Sequence, residues 1–183
     1  MQSYTENEII ALLQEPSQRR EAFSKVVELY GERLYWHIRK MVLNHNDADD
    51  LLQNTFMKAW ANIDLFRGEA KLSTWLYKIA INESLSFLNK QRNNNNVSLD
   101  EVDTSLLERL KSDTYFDGDE IQLRLQRAIL SLPDKQRLVF NMKYYEDMKY
   151  EEIGEVLGTS VGALKASYHH AVKKIEENLT KEV

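Results

Sequence analysis

The chain has 183 residues, 24 Lys and Arg against 29 Asp and Glu, a formal charge of −5, and no cysteine. With 43% hydrophobic and 29% charged residues it is neither a disordered chain nor a membrane-spanning one, since no apolar run nears the roughly 18 residues a membrane helix needs. The lack of cysteine excludes disulfides and thiolate chemistry and fits a reducing, cytoplasmic location.

The N-terminal stretch MQSYTENEII carries acidic residues where a secretory signal has basic ones, so export is not expected. Two prolines, six glycines and apolar residues recurring at three and four predict an all-α protein. A helix over 5–14 should stop before Pro16, because the residue before proline disfavours the helical region. A long helix over 18–43 follows, with Ser17 as N-cap and Gly31 inside it. The next opens at NDADD, whose carboxylates suit the positive end of the helix dipole. Gly68 marks a break, after which KLSTWLYKIAINESLSFLNKQR reads as a third helix with Ser73 placed to cap it.

From NNNN to Glu120 the chain is acidic and weakly periodic, which predicts a flexible linker with one helical turn around Leu106 to Leu110. Lys and Arg balance Asp and Glu at 12 against 12 over 1–92, fall to 2 against 8 over 93–120, and recover to 10 against 9 beyond. The net acidity therefore sits in the linker and leaves both flanking parts free to approach phosphate. These boundaries give two small helical domains, 1–92 and 121–183, joined by an acidic linker over 93–120. The second begins with IQLRLQRAILSL, continues from Pro133 to Tyr145, and ends in a helix pair.

That pair, EEIGEVLGTSVGALKASYHHAVKK, has the pattern of a helix-turn-helix. Ile153, Val156 and Leu157 form an inner face, Gly158 a C-cap and Ser160 an N-cap. The second helix would bury Leu164, Tyr168, Ala171 and Ile175. Its opposite side presents Gly162, Ala163, Lys165, Ala166, Ser167, His169, His170, Lys173 and Lys174, small residues for base edges and lysines for phosphates. The same spacing also describes a helical hairpin with a solvated polar side.

FRGEAKLSTWLYKIAINESLSFLNKQR interleaves Arg67, Lys71, Lys78, Lys90 and Arg92 with Phe66, Trp75, Tyr77 and Phe87, a pattern suited to a single strand. Aromatics at helical spacing equally form a core. DADDLLQNTFMKAW lacks the glycine and final glutamate of a calcium loop, so it reads as a capped helix start with an exposed polar face. His169 and His170 point about 100° apart on a helix and are poorly placed to share a metal. No nucleophile constellation, phosphate-binding glycine loop or carboxylate dyad is present, so neither catalysis, cofactor nor metal is expected.

In this order the three motifs resemble the extracytoplasmic-function sigma factors, small promoter-recognition subunits of bacterial RNA polymerase, from about Ala22 to Leu179 excluding the linker. DADDLLQNTFMKAW is similar to the family's polymerase-binding helix, FRGEAKLSTWLYKIAINESL to its promoter-melting region, and the stretch from LPDKQR to AVKKI to its terminal DNA-binding domain. The resemblance implies that Asp49, Asp50, Gln53, Asn54 and Met57 face core polymerase. It implies that Arg67, Lys71, Ser73, Thr74, Trp75, Lys78 and Asn82 hold the opened proximal element. The terminal helix would read the double-stranded distal element, with Arg137 contacting phosphate. It implies an anti-sigma partner and no membrane insertion. The linker's acidity would suit basic channel walls of polymerase. Ser167, His170 and Val172 stand where family members often carry arginine, and Asn54 where they carry glutamate, which implies weaker phosphate anchoring. Two other readings remain: a freestanding helix-turn-helix regulator binding a palindrome as a dimer, and a protein-binding helical adaptor.

Overall fold

The computed structural model describes residues 4–95 and 118–181, with Glu108 and Lys111 between them, and every regular element among these is helical. Helix α1 (Glu6–Gln14) starts in a capping box. The Thr5 hydroxyl accepts from the Glu8 amide at 3.3 Å and the Glu8 carboxylate accepts from the Thr5 amide at 2.7 Å. It ends where Glu15, ahead of Pro16, turns extended.

Helix α2 (Arg19–Val42) has Gln18, not Ser17, at its N-cap, with no side-chain cap. The backbone fills that role: the amides of Gln18 and Arg19 donate to the Glu15 carbonyl at 3.0 and 2.9 Å. Leu43, at φ 57°, ends α2, and the Asn44 side chain opens α3 (His45–Ala61) by accepting from the Asp47 amide at 3.0 Å.

Helix α4 (Leu72–Asn95) departs from expectation at both ends. Ser73 lies inside the helix, and the Leu72 amide donates to the Glu6 carboxylate at 2.7 Å, so a side chain from α1 satisfies an end that the local sequence leaves open. At the other end the helix runs past Arg92 into the asparagines. The expected helical turn at Leu106 to Leu110 falls outside the described residues, save for Glu108, which is helical. Val26, Leu34 and Ile38 of α2 meet Leu51 and Ala59 of α3 and Leu76, Ala80 and Leu88 of α4 in a dry core.

The second module contains α5 (Glu120–Leu130), α6 (Asp134–Tyr144), α7 (Tyr150–Leu157) and α8 (Val161–Lys181). Asp119 caps α5 through the Gln122 amide, and Pro133 precedes α6. Ile129, Leu132, Phe140, Ala171 and Ile175 form its own core, with Phe140 stacked on Tyr168 at 5.9 Å. The modules do not stand apart. Leu138, Met142, Met148, Ile153, Val156 and Leu164 belong to the same buried cluster as the first-module core.

The turn between α7 and α8 is closely packed. Gly158 is left-handed at φ 64°, as a helix-ending glycine, and the Ser160 hydroxyl accepts from the Ala163 amide at 3.3 Å. Gly154, one turn earlier, faces this bend so closely that an added Cβ would lie 2.8 Å from the Thr159 carbonyl oxygen. Gly154→Ala should therefore lower stability by about 1–3 kcal/mol by forcing the turn apart. Gly158→Ala, whose Cβ would meet open space, should lose only the ~1–2 kcal/mol of a left-handed alanine. Urea unfolding of both variants checks the order, and an unaffected Gly154→Ala would contradict the close approach.

Candidate nucleic-acid interface

Positions 71, 74, 78 and 82 share one side of α4 by their spacing, so the fold brings much of the expected melting face together. Lys71, Lys78 and Asn82 are exposed and Thr74 is buried at 4%. Arg67 is exposed in the turn before α4, and Ser73 is half-buried. Trp75 is also half-buried, its ring tilted 35° against Phe66 at 5.0 Å, which braces it in the surface of the module. Tyr77, at 1% exposure, belongs to the core.

The polymerase-facing candidates lie on one outward side of α3. Asp50, Gln53, Asn54 and Met57 are exposed, and Asp49 is half-exposed beside His45 at 3.6 Å. Sequence reasoning missed Trp60, 43% exposed at the end of the helix and packed edge-on against Phe23 at 5.1 Å. It ends the motif already quoted, and a tryptophan on the polar face was the available signal.

On α8 the outward side carries Gly162, Ala163, Lys165, Ala166, His169, His170 and Lys173, with Ser167 half-buried. Leu164, Ala171 and Ile175 point inward as their spacing predicts. The Lys165 ammonium lies 5.9 Å above the Tyr150 ring. Arg137 corrects the expectation of a phosphate contact. It is 4% exposed, and its guanidinium donates to Asp134 at 3.0 Å, so it is turned into the protein rather than toward a duplex.

The seam between the modules is polar where it covers α4. The Glu146 carboxylate accepts from His37 Nδ1 at 2.6 Å and from the Tyr77 hydroxyl at 2.7 Å. Glu152 pairs with Lys71 at 3.3 Å, Thr74 donates to Glu155 at 3.4 Å, and Arg92 grips Asp134 with two bonds of 2.9 Å. Asp147, left-handed at φ 49°, and a Lys143 ammonium donating to the Met148 carbonyl at 3.1 Å shape the loop that delivers Glu146. His37 could have been noticed, since it falls on the apolar stripe with Leu34, Ile38 and Met41. Nothing local marks its partner.

Burial raises the pKa of Glu146, but hydrogen bonds and charge from His37, with Tyr77 and Lys40, outweigh it and leave a value below the ordinary one. Burial raises the Tyr77 hydroxyl, and the adjacent Glu146 charge adds to the effect. The Arg92 hydrogen bond lowers Asp134, and the Lys149 amide, aided by Lys71, lowers Glu152. Among the described residues no group of three or more His, Asp or Glu could hold a metal. No helix among them is long and apolar enough to cross a membrane.

The chain forms two helical modules, the second ending in two helices joined by a tight turn, and comparison with known proteins identifies the class. Residues 26–94 match the family model for sigma-70 region 2 and residues 122–175 that for sigma-70 region 4. The chain is 30% identical over 168 residues to the ECF RNA polymerase sigma factor SigW of Bacillus subtilis, covering 87% of this chain and 90% of that protein. It is 30% identical over 141 residues to SigV of the same organism, covering 77% and 81%. Its fold matches CnrH, solved with the cytosolic domain of CnrY, at a TM-score of 0.68 with 22% identity, covering 96% and 98% of the two chains. It also matches the sigma factor RpoE of Bartonella quintana, solved with the anti-sigma factor NepR, at 0.65 with 22% identity, covering 86% and 96%. The chain belongs to the extracytoplasmic-function sigma factors. It is an alternative sigma factor, and the freestanding dimeric regulator is not favoured.

The lowered carboxylates give a pH dependence of definite sign. A group whose native pKa is depressed stabilises fully above its unfolded value and loses that contribution as pH falls through the native one. With 4.5 the ordinary value for Glu146 and Glu152, stability should hold near neutrality and decline as pH drops below 4.5. In urea titrations at stepped pH, Glu146→Gln should start less stable and decline more shallowly. A variant curve parallel to wild type would contradict the assignment.

Proposed function

We propose that this sigma factor divides its work by module, working in the cytoplasm and without enzymatic activity of its own. The observation that carries the reading is the pair of sigma-70 regions, 2 and 4, in one chain and in that order. The α3 face of Asp49, Asp50, Gln53, Asn54 and Met57, extended by Trp60, docks on core RNA polymerase. Asp and Asn supply polar contacts at its edge, and Met57 and Trp60 supply apolar area.

The α4 face and the preceding turn hold the opened strand of the proximal promoter element. Extruding a base costs a few kcal/mol, offset by phosphate contacts from Arg67, Lys71 and Lys78 and hydrogen bonds from Ser73, Thr74 and Asn82. Trp75, packed on Phe66 and half-buried, lies beside these groups. The outward side of α8 reads the distal element as duplex, with Gly162, Ala163 and Ala166 admitting base edges and Ser167, His169 and His170 supplying polar groups. Lys165 and Lys173 reach phosphates. An anti-sigma protein is proposed as a further partner, in keeping with the complex in which the Bartonella relative was solved.

Transcription reconstituted with purified core polymerase and genomic promoter fragments tests this directly. Start sites should appear only when the protein is added, and tight binding to a palindromic duplex without polymerase would overturn the reading. Replacing both Lys78 and Asn82 by alanine should reduce strand opening, read with a fluorescent base near the start site, by about ten- to a hundredfold while closed binding changes less. Met57→Ala with Trp60→Ala should instead weaken capture by core polymerase and leave the helical content unchanged. Equal loss of closed and open complexes in the α4 double variant would assign that face to folding.

A further inference from the structure

A groove of about 590 Å³ runs between α4 and the second module. Its walls are largely apolar, with Ile81 and Leu85 of α4 on one side and Leu138, Val156 and Leu164 on the other. Its polar groups are Lys78, Asn82, Lys135, Thr159 and Ser167, and among the described residues no carboxylate lines it. Both lysines are exposed, and among the described residues neither ammonium has an ion-pair partner. In a chain of charge −5, two unanswered cations on an apolar trough make a surface complementary to an anion with an apolar body.

The register of the helices orders these groups along the groove. Lys71 with Glu152 and Thr74 with Glu155 are both 81 residues apart, so α4 and α7 run side by side in the same direction, and the end of α7 arrives beside Lys78. Asn82 follows Lys78 by one turn of α4, while Thr159 and Ser167 line the groove from the turn and the helix that follow α7. Farther along α4, Arg92 holds Asp134, the neighbour of Lys135. One end of the groove therefore has Lys78 with an amide and two hydroxyls, and the other has Lys135. The apolar walls lie between them, Leu85 being two turns past Lys78, about 10 Å along the helix.

We propose that this groove is a binding site for a small amphipathic anion, a medium-chain fatty acid, whose carboxylate lies against Lys78, Asn82, Thr159 and Ser167 and whose alkyl chain runs toward Leu85 and Leu138. The lining selects this chemistry. A cationic ligand would meet two ammoniums and no carboxylate. A wholly apolar one would desolvate the polar end without replacing its hydrogen bonds. An inorganic anion would leave the apolar run unused. The volume falls within the ~300–1,000 Å³ of small-molecule sites, which are apolar in the main with a few polar groups that fix orientation. Binding stands on the groove alone. Its consequence for transcription rests on the assignment of Lys78 and Asn82 as strand contacts: the bound carboxylate occupies groups that the opened strand would use, so the acid competes with promoter opening.

Equilibrium dialysis of the full chain against labelled octanoate and decanoate tests the site without DNA or polymerase. Each buried methylene should multiply affinity about three- to fourfold, so decanoate should bind about tenfold more tightly than octanoate. Decyltrimethylammonium, with the same tail and the opposite charge, should bind at least about tenfold more weakly than decanoate. Lys78→Gln, an exposed substitution, should weaken decanoate by about tenfold, and Lys135→Gln, at the tail end, by less. Failure to bind at about 1 mM decanoate overturns the site and leaves the groove to a peptide. Equal affinity for the two acids overturns the buried tail, and equal affinity for the anion and the cation overturns the head-group end. A larger loss in Lys135→Gln than in Lys78→Gln overturns the placement of the carboxylate. In transcription reconstituted with core polymerase, decanoate should reduce strand opening, and retained binding with no such reduction overturns the competition alone. The reading of α4 fails separately, if the Lys78 and Asn82 double variant opens promoters as well as wild type.

Discussion

A carboxylate taken out of water is stable only where charge and hydrogen bonds replace its hydration, and Glu146 finds both on the other module. His37 Nδ1 at 2.6 Å and the Tyr77 hydroxyl at 2.7 Å come from adjacent helices of the first module, α2 and α4. Their positions fix where the loop after α6 must sit. Met148, two residues on, is then buried in the shared core, and α7 follows directly onto the start of α4. The pairs Lys71 with Glu152 and Arg92 with Asp134 lie on the same seam, one near each end of α4. One buried charge thus sets the registry of two modules, a use of buried polar groups better supported than stabilisation.

Local physics made most elements legible from sequence. The Thr5 and Glu8 box, the stop before Pro16, the glycine after Leu157 and the inward set Leu164, Ala171 and Ile175 each follow from contacts within one or two turns. Expectation failed where the partner is distant in sequence. Ser73 has the chemistry of a cap, yet Glu6 caps α4 from 66 residues away. Ser17 gave way to the Glu15 carbonyl. Arg137 reads as an available cation until Asp134 is seen beside it. The composition of both candidate faces was legible, but the packing of the second module on α4 was not, because that depends on a pairing of residues 37 and 146 that no periodicity encodes.

The charge distribution accounts for an acidic chain with a nucleic-acid role. Fields decay over about 8 Å at physiological salt, so what a helix presents to phosphate is set first by the charges it carries itself. On α8 those are sparse: Lys165, Lys173, Lys174 and Lys181 against Glu176 and Glu177, with small and neutral residues at the start. Each phosphate contact adds to affinity through release of counterions, and a helix with few such contacts holds duplex weakly. Joining two weak modules on one rigid platform raises the effective concentration of the second once the first is bound. A large enzyme that fixes their spacing supplies that platform, and low intrinsic affinity keeps the free protein from occupying DNA indiscriminately.

The polar character of the seam follows from the same requirement. Replacing a buried ion pair by apolar residues of similar volume is often neutral or stabilising by 1–4 kcal/mol, roughly a ten- to a thousandfold shift in a two-state balance. An apolar seam in place of Glu146, His37 and Tyr77 would hold the modules together more firmly. The pairing present here sets one arrangement of the modules, while each separated partner regains hydration that an apolar surface would not. The buried apolar share, with Met148, Ile153 and Val156 on the second-module side, supplies attraction, and the unfilled groove beside Lys78 and Asn82 limits it.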